Sequence, residues 1–217
     1  MADIKAILFD MDGVLIEARD WHYEALNRAL DCFGMAIQRD EHLAVYDGLP
    51  TRRKLELLSA SRGLPRPLHG FLNDLKQRYT MEIAYSRCRP VFQHQYALSR
   101  LQHDGYRMCV CSNSIRATVE LLMKLSALDT YLDFNLSNED VSNPKPDPEM
   151  YSAGIEKFGL SAGECLIVED NEHGIKAAQA SGAHVMMVSG PLDVSYARIR
   201  NAIEQAEQGS ARKRVLA

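Results

Sequence analysis

The sequence predicts an α/β fold: a parallel sheet with helices on both faces and an all-helical block inserted after the first strand. Three observations predict it. Short apolar runs separated by helical segments recur from residue 90 onward, which is the pattern of βα units. The first run, Ile4-Lys5-Ala6-Ile7-Leu8-Phe9, is mostly apolar without clean alternation, as in a strand buried on both faces. Between residues 17 and 88 there are helical patterns and no strand signal, so that block reads as a second domain.

In order, the first strand is followed by a helical pattern over 19–35, with Trp21, Ala25, Leu26, Ala29, Leu30 and Phe33 on one stripe and Gly34 near its end. A polar stretch leads to Tyr46-Asp47-Gly48. Thr51 then reads as the N-cap of a helix that stops near Gly63-Leu64-Pro65. Another helix is expected over about 68–83. Beyond Pro90 come a helix over 91–103 closed at Asp104-Gly105, a strand over 106–112, a helix over 116–126 and a short strand near 132–136. Pro148 opens a helix that ends at Phe158 before Gly159. A strand over 165–168, a helix over 174–181, a strand over 184–188 and a helix over 195–208 complete the pattern. The Arg212-Lys213-Arg214 cluster reads as a solvated tail. The boundaries expected are 1–16 with 89–217 for the α/β domain and 17–88 for the helical one.

The 217 residues suffice for a sizeable core. A hydrophobic share of 46% and a charged share of 25% are ordinary for a globular protein. The net charge of −4 gives no reason to expect a nucleic-acid or anionic-membrane partner. No apolar run approaches the roughly 20 residues of a membrane span, and no signal-peptide layout opens the chain. The five cysteines, Cys32, Cys88, Cys109, Cys111 and Cys165, lack zinc-ligand spacing and read as buried thiols of a reducing compartment, the cytoplasm. A monomer is the default expectation.

Chemistry gathers at the ends of the apolar runs, where open α/β sheets bind ligands. Asp10 and Asp12 follow the first strand with one residue between them. If the strand continued, alternation would point both the same way. Two carboxylates there suit a hard cation such as Mg²⁺, and one can serve as a covalent nucleophile; Asp-Gly as turn chemistry is the plainer reading. Ser112-Asn113-Ser114 offers a hydroxyl and an amide suited to phosphate oxygens, or else a helix cap at Ser114. In Asn143-Pro144-Lys145-Pro146-Asp147-Pro148 the flanking prolines stiffen the lysine backbone, which holds an ammonium against developing phosphate charge or simply makes a rigid turn. Glu169 and Asp170 end a later strand, able to complete a metal's oxygen shell or, for Asp170, to cap the next helix.

Asp10-Met11-Asp12-Gly13-Val14-Leu15 resembles the first signature of the haloacid dehalogenase-like superfamily. Ser112, the Lys145-Pro146-Asp147-Pro148 run and the stretch from Val168 to Ala178 resemble its second, third and fourth motifs, in the family's order. The resemblance implies a Rossmann-like core with an inserted helical cap. It implies that Asp10 attacks phosphorus and that Asp12 is the general acid–base. It further implies that Ser112, with Asn113 beside it, and Lys145 hold the phosphoryl group. Mg²⁺ would be held by Asp10, Asp170, the main-chain carbonyl of Asp12 and, nearby or through water, Glu169.

Dehalogenases of the family lack a carboxylate at the position of Asp12, so phosphate-ester chemistry is favoured. The inserted helices resemble the cap of the β-phosphoglucomutase and phosphoglycolate phosphatase branch, which implies a small phosphorylated metabolite as substrate. Within it His22, Gly48, Arg52 and Arg53 are the candidates for substrate contact, with a surface or core role as the plainer reading of each. Ala18 departs from the mutase pattern, which has a threonine near there. Glu17, if it points inward, disfavours a second phosphate. The expectation is a Mg²⁺-dependent sugar-phosphate phosphatase. A phosphomutase using the same residues is the alternative, and a non-catalytic binding protein of the same fold is the third.

Overall fold

The computed structural model describes residues 3–215, and over 210–215 the backbone alone. The chain separates into two compact units, Met1–Glu17 with Arg89–Ala217, and Ala18–Cys88. The first break falls one residue beyond the expected boundary.

The first unit holds the strands β1 (Ala6–Phe9), β2 (Arg107–Cys111), β3 (Phe134–Leu136), β4 (Cys165–Glu169) and β5 (His184–Met187). They form a parallel sheet in the order β3-β2-β1-β4-β5, with Leu8 opposite Cys109 on one side and Ile167 on the other. A strand flanked on both edges and covered on both faces has no solvated side, which explains the unbroken apolar run: all four β1 residues are buried. Alternation sends Leu8, Cys109, Cys111 and Ile167 to the face covered by α7 (Glu149–Phe158) and α8 (Glu172–Ala180). Ile7, Phe9, Val110 and Val168 take the opposite face and are equally buried. Each such side chain contributes about 1.5–3 kcal/mol through burial. Gly154 lets α7 approach β1 closely, since a Cβ there would lie 2.8 Å from Leu8 Cδ2. The remaining helices of this unit are α5 (Phe92–His103), α6 (Arg116–Leu125) and α9 (Tyr196–Val215). The backbone is helical through Val215, so residues 212–214 continue α9 instead of forming an irregular tail.

The second unit is built from α1 (Arg19–Asp31), α2 (Arg39–Glu41), α3 (Thr51–Arg62) and α4 (His69–Arg87), with a π-helical turn at His42–Tyr46. No strand occurs among its described residues. Leu26, Leu30, Tyr46, Leu55, Leu58 and Leu72 make its core. The helix α1 is shorter than its periodicity predicts, because the chain turns at Asp31–Gly34 and Gly34 N donates to Asp31 O. Phe33, expected on the buried stripe, is 42% exposed. Thr51 is the first residue of α3 and not its cap; the extended Pro50 holds the cap position. Cys88, Cys109, Cys111 and Cys165 are buried free thiols, whereas Cys32, expected among them, is exposed. Among the described residues no helix is long and apolar enough to cross a membrane.

Candidate active site

The sheet ends gather one constellation within the first unit. Regular strand geometry stops at Phe9, although Asp10 N still donates to Val168 O at 3.0 Å and so keeps Asp10 in line with the strand tip. The chain then turns tightly: Gly13, at φ +88°, adopts the left-handed conformation a side chain would resist, and its N–H donates to Ile16 O at 2.7 Å. Asp12 is therefore placed by a turn and not by strand alternation. Its Oδ2 accepts a 3.2 Å hydrogen bond from the Ser114 hydroxyl.

Lys145 is the centre of the arrangement. It is 3% exposed, and its ammonium donates to Asp10 Oδ1 at 2.7 Å, Tyr151 Oη at 2.7 Å and Glu169 Oε1 at 2.8 Å. An ammonium has three N–H bonds, and all three are engaged. The Lys145 main chain is clamped as well. Its N–H donates to Asn113 Oδ1 at 3.0 Å, its carbonyl accepts from Asn113 Nδ2 at 3.2 Å, and the Lys145–Pro146 peptide bond is cis. Asn113, expected to bind phosphate, thus uses both ends of its amide to position Lys145. Ser112 is buried beside it, and its hydroxyl oxygen accepts from Ser114 N at 3.1 Å, leaving the hydroxyl proton available for an incoming oxygen. Ser114 is not the cap of α6; Ile115 holds that position.

Glu169 is buried and saturated. Its Oε1 accepts from Lys145 and from the Tyr151 hydroxyl at 2.6 Å, and its Oε2 accepts from the N–H groups of Asp170 and Asn171 at 2.9 and 3.2 Å. Gly174 in the first turn of α8 makes room for it: a Cβ there would stand 1.7 Å from Glu169 Oε1. The N-cap of α8 is Asn171, whose side chain accepts from His173 N, so the capping alternative for Asp170 is excluded.

Burial is the strongest influence on all three ionisable groups at the centre. It pushes the Asp10 carboxyl well above its ordinary range, against the pull of Lys145. It disfavours the Lys145 ammonium too, but Asp10 and Glu169 outweigh it and hold that group above its ordinary value. For Glu169 burial is outweighed by Lys145 and by the hydrogen bonds from Tyr151 and Asn171, and its carboxyl stays below its ordinary value.

Carboxylate oxygens of Asp10, Glu169 and Asp170 lie within 4.8 Å of one another. An all-oxygen anionic set of this size fits a hard cation such as Mg²⁺. Glu169 already accepts four hydrogen bonds, so such a cation would meet it through water and Asp10 and Asp170 directly.

The second unit treats its candidates differently. His22 lies with Nδ1 3.3 Å from the Lys76 ammonium, and Gly48, at φ +70°, turns the chain ahead of α3. Arg52 and Arg53, expected to grip an anionic group, have side chains 91% and 60% exposed and pair with Glu56 one turn on. The buried cation of that turn is Lys54, which sequence reasoning passed over. Reasoning from sequence also missed Tyr151, Ser114 and Gly174. Tyr151 falls within the helix expected after Pro148, and nothing local signals that its hydroxyl meets Lys145 and Glu169.

Residues 7–188 match the family model described as haloacid dehalogenase-like hydrolase. Among curated proteins the chain is 27% identical over 183 residues to the phosphorylated carbohydrates phosphatase of Thermotoga maritima, covering 82% of each chain. It is 26% identical over 189 residues to the pyrophosphatase PpaX of Bacillus velezensis, covering 82% of this chain and 80% of that one. Among solved structures, CbbY from Rhodobacter sphaeroides in complex with phosphate superposes with a TM-score of 0.79 at 21% identity, over 86% of this chain and 87% of that one. The β-phosphoglucomutase of Clostridium difficile gives 0.80 at 16% identity, over 93% and 98%. At these identities the two structures show a shared fold.

Proposed function

Because the chain belongs to the haloacid dehalogenase-like hydrolases, we propose that it is a Mg²⁺-dependent phosphatase that releases phosphate from a small phosphorylated metabolite, a sugar phosphate, through an aspartyl-phosphate intermediate. The observation that carries this reading is the buried Lys145 ammonium held against Asp10, with Asp12 two residues on and Asp170 within metal-sharing distance. The names of the curated relatives, both phosphate-releasing enzymes, support it.

In this reading Asp10 attacks phosphorus, and the ester oxygen leaves with a proton from Asp12. Asp12 then takes a proton from water, whose oxygen attacks the phosphorus held on Asp10; inorganic phosphate leaves and the Asp10 carboxylate returns. The Ser114 hydroxyl orients Asp12. The Ser112 hydroxyl donates to a phosphoryl oxygen, and Lys145 offsets negative charge at the centre. Asp10, Asp170, the Asp12 carbonyl and, through water, Glu169 would hold the metal, which when bound supplies positive charge that favours ionised Asp10 and neutralises phosphate oxygens. The Ala18–Cys88 unit is assigned as the cap. Four buried free thiols support a reducing compartment such as the cytoplasm, and a monomer is proposed.

The test is phosphate release with Mg²⁺ from sugar phosphates, phosphoglycolate, pyrophosphate and nucleotides, with Asp10→Asn as control. Turnover of one ester that Asp10→Asn and chelation both abolish is expected. Isomerisation of a hexose 1-phosphate without net phosphate release overturns the hydrolytic reading. No turnover by the folded protein on any of these overturns the enzymatic one.

A further inference from the structure

Tyr151 stands outside every motif that predicted the site, yet its hydroxyl is at the centre of it. The residue is 0% exposed on α7, six positions after Lys145. Its oxygen accepts from the Lys145 ammonium at 2.7 Å and its proton goes to Glu169 Oε1 at 2.6 Å, while Lys145 Nζ also lies 4.4 Å from the ring centroid. The three groups close a ring, because Lys145 also donates to Glu169 Oε1 at 2.8 Å. We propose that Tyr151 is a positioning residue of the reaction: its hydroxyl fixes the Lys145 ammonium against Asp10 and holds Glu169 in register beneath it.

The donor and acceptor count carries this. The ammonium has three protons, and its acceptors are one oxygen each from Asp10, Tyr151 and Glu169. Removing the hydroxyl leaves one N–H unmatched in a site too buried for water to reach freely, so the ammonium tilts toward the two remaining carboxylate oxygens. Glu169 Oε1 loses one of its two donors as well. A charge displaced by a fraction of an ångström is less able to stabilise a transition state whose geometry is fixed by Asp10, while ground-state binding through Ser112 is untouched. The aromatic ring is a separate matter: it fills the core between α7 and the sheet, so Phe at this position keeps the packing and removes the chemistry alone.

The proposal rests on the phosphatase reading for its kinetic consequence but not for its geometric one, and the experiment separates them. In the metal-free protein, the ¹H–¹⁵N resonance of the Lys145 ammonium, identified by its loss in Lys145→Met, is expected to be visible through slow solvent exchange. In Tyr151→Phe it is expected to shift and broaden. With Mg²⁺ and the best substrate of the panel, Tyr151→Phe is expected to lower kcat by about 10- to 100-fold with KM within about twofold, the pattern of an interaction that matters in the transition state. Packing damage alone would lower thermal stability and leave that split and the resonance unchanged. An unchanged resonance or an unchanged kcat in Tyr151→Phe overturns the proposal. Should that variant not fold, a Lys145 ammonium in the wild-type protein that exchanges as fast as a surface lysine overturns it instead. If no substrate is turned over by the wild type, the resonance still decides whether Tyr151 fixes Lys145, and it is the phosphatase reading that falls.

Discussion

The two units carry their chemistry-bearing residues in opposite ways. In the α/β unit Asp10, Ser112 and Glu169 stand at strand ends and are buried, as is Lys145. Asp10, Lys145 and Glu169 belong to a closed network in which one ammonium meets three oxygens and Glu169 accepts four hydrogen bonds. In the helical unit such residues ride on helices, where a shift of one position in sequence moves a side chain by 100° around the axis. Arg52 and Arg53 face solvent there and their neighbour Lys54 is buried. A sheet end converges: parallel register brings Asp10, Ser112 and Glu169 to adjacent tips whatever the helices between them do. A helix face discriminates, and the face is decided by its neighbours.

The comparison predicts that damage is greatest where the network is closed. Lys145→Met is expected to lower kcat/KM by on the order of 10³-fold or more, as for loss of a central electrostatic group, and to depress the melting temperature because two buried carboxylates lose their cation. Thermal melts and Mg²⁺-dependent phosphate release read both. Gly174→Ala should follow closely. Its new methyl collides with Glu169, and overpacking of about 1–3 kcal/mol, seen as a melting-temperature drop of several degrees, is expected to accompany the loss of most activity. Normal turnover in this variant would mean that Glu169 is free to move. Asn113→Ala unclamps the Lys145 main chain at both ends and is expected to cost about 1–3 kcal/mol, measured by urea unfolding, with kcat affected more than KM.

The helical unit offers a pH effect of its own. Burial lowers the His42 imidazole to about 4 from its ordinary 6.5, with Lys54 adding to the effect. A base with a depressed folded-state value contributes fully above the unfolded value, and that contribution is lost as pH falls from 6.5 toward about 4, where the unfolded chain takes up a proton that the folded chain refuses. The expected loss is about 1–3 kcal/mol over that window, and His42→Phe should flatten it in urea titrations at several pH values. An unchanged slope in the variant would assign the acid sensitivity elsewhere. The smallest effect is expected for Arg52→Ala and Arg53→Ala. Their pairs with Glu56 are solvent-exposed and weak, and both variants should keep kcat/KM within about twofold; a larger loss would identify these arginines as substrate contacts.

By itself the sequence determined the α/β class, the helical insert and the residues at the strand tips. Those signals are local: an apolar run buried on both faces, a polar cluster directly after it, and prolines around Lys145. The tertiary structure decided what each polar group does once it arrives. Asp12 is aimed by a tight turn and by Ser114, more than one hundred residues away in the chain, not by strand alternation. Asn113, read as a phosphate ligand, also clamps the Lys145 main chain with both ends of its amide. Tyr151 drew no reading of its own and Gly174 read as the start of a helix, yet both shape the surroundings of Glu169. The end of α1 and the cap of α3 were misread for a related reason, because periodicity records that a stripe exists and not where a turn cuts it. Hydrogen-bond partners are chosen by proximity in space, and sequence spacing carries that information only when both partners lie on the same element.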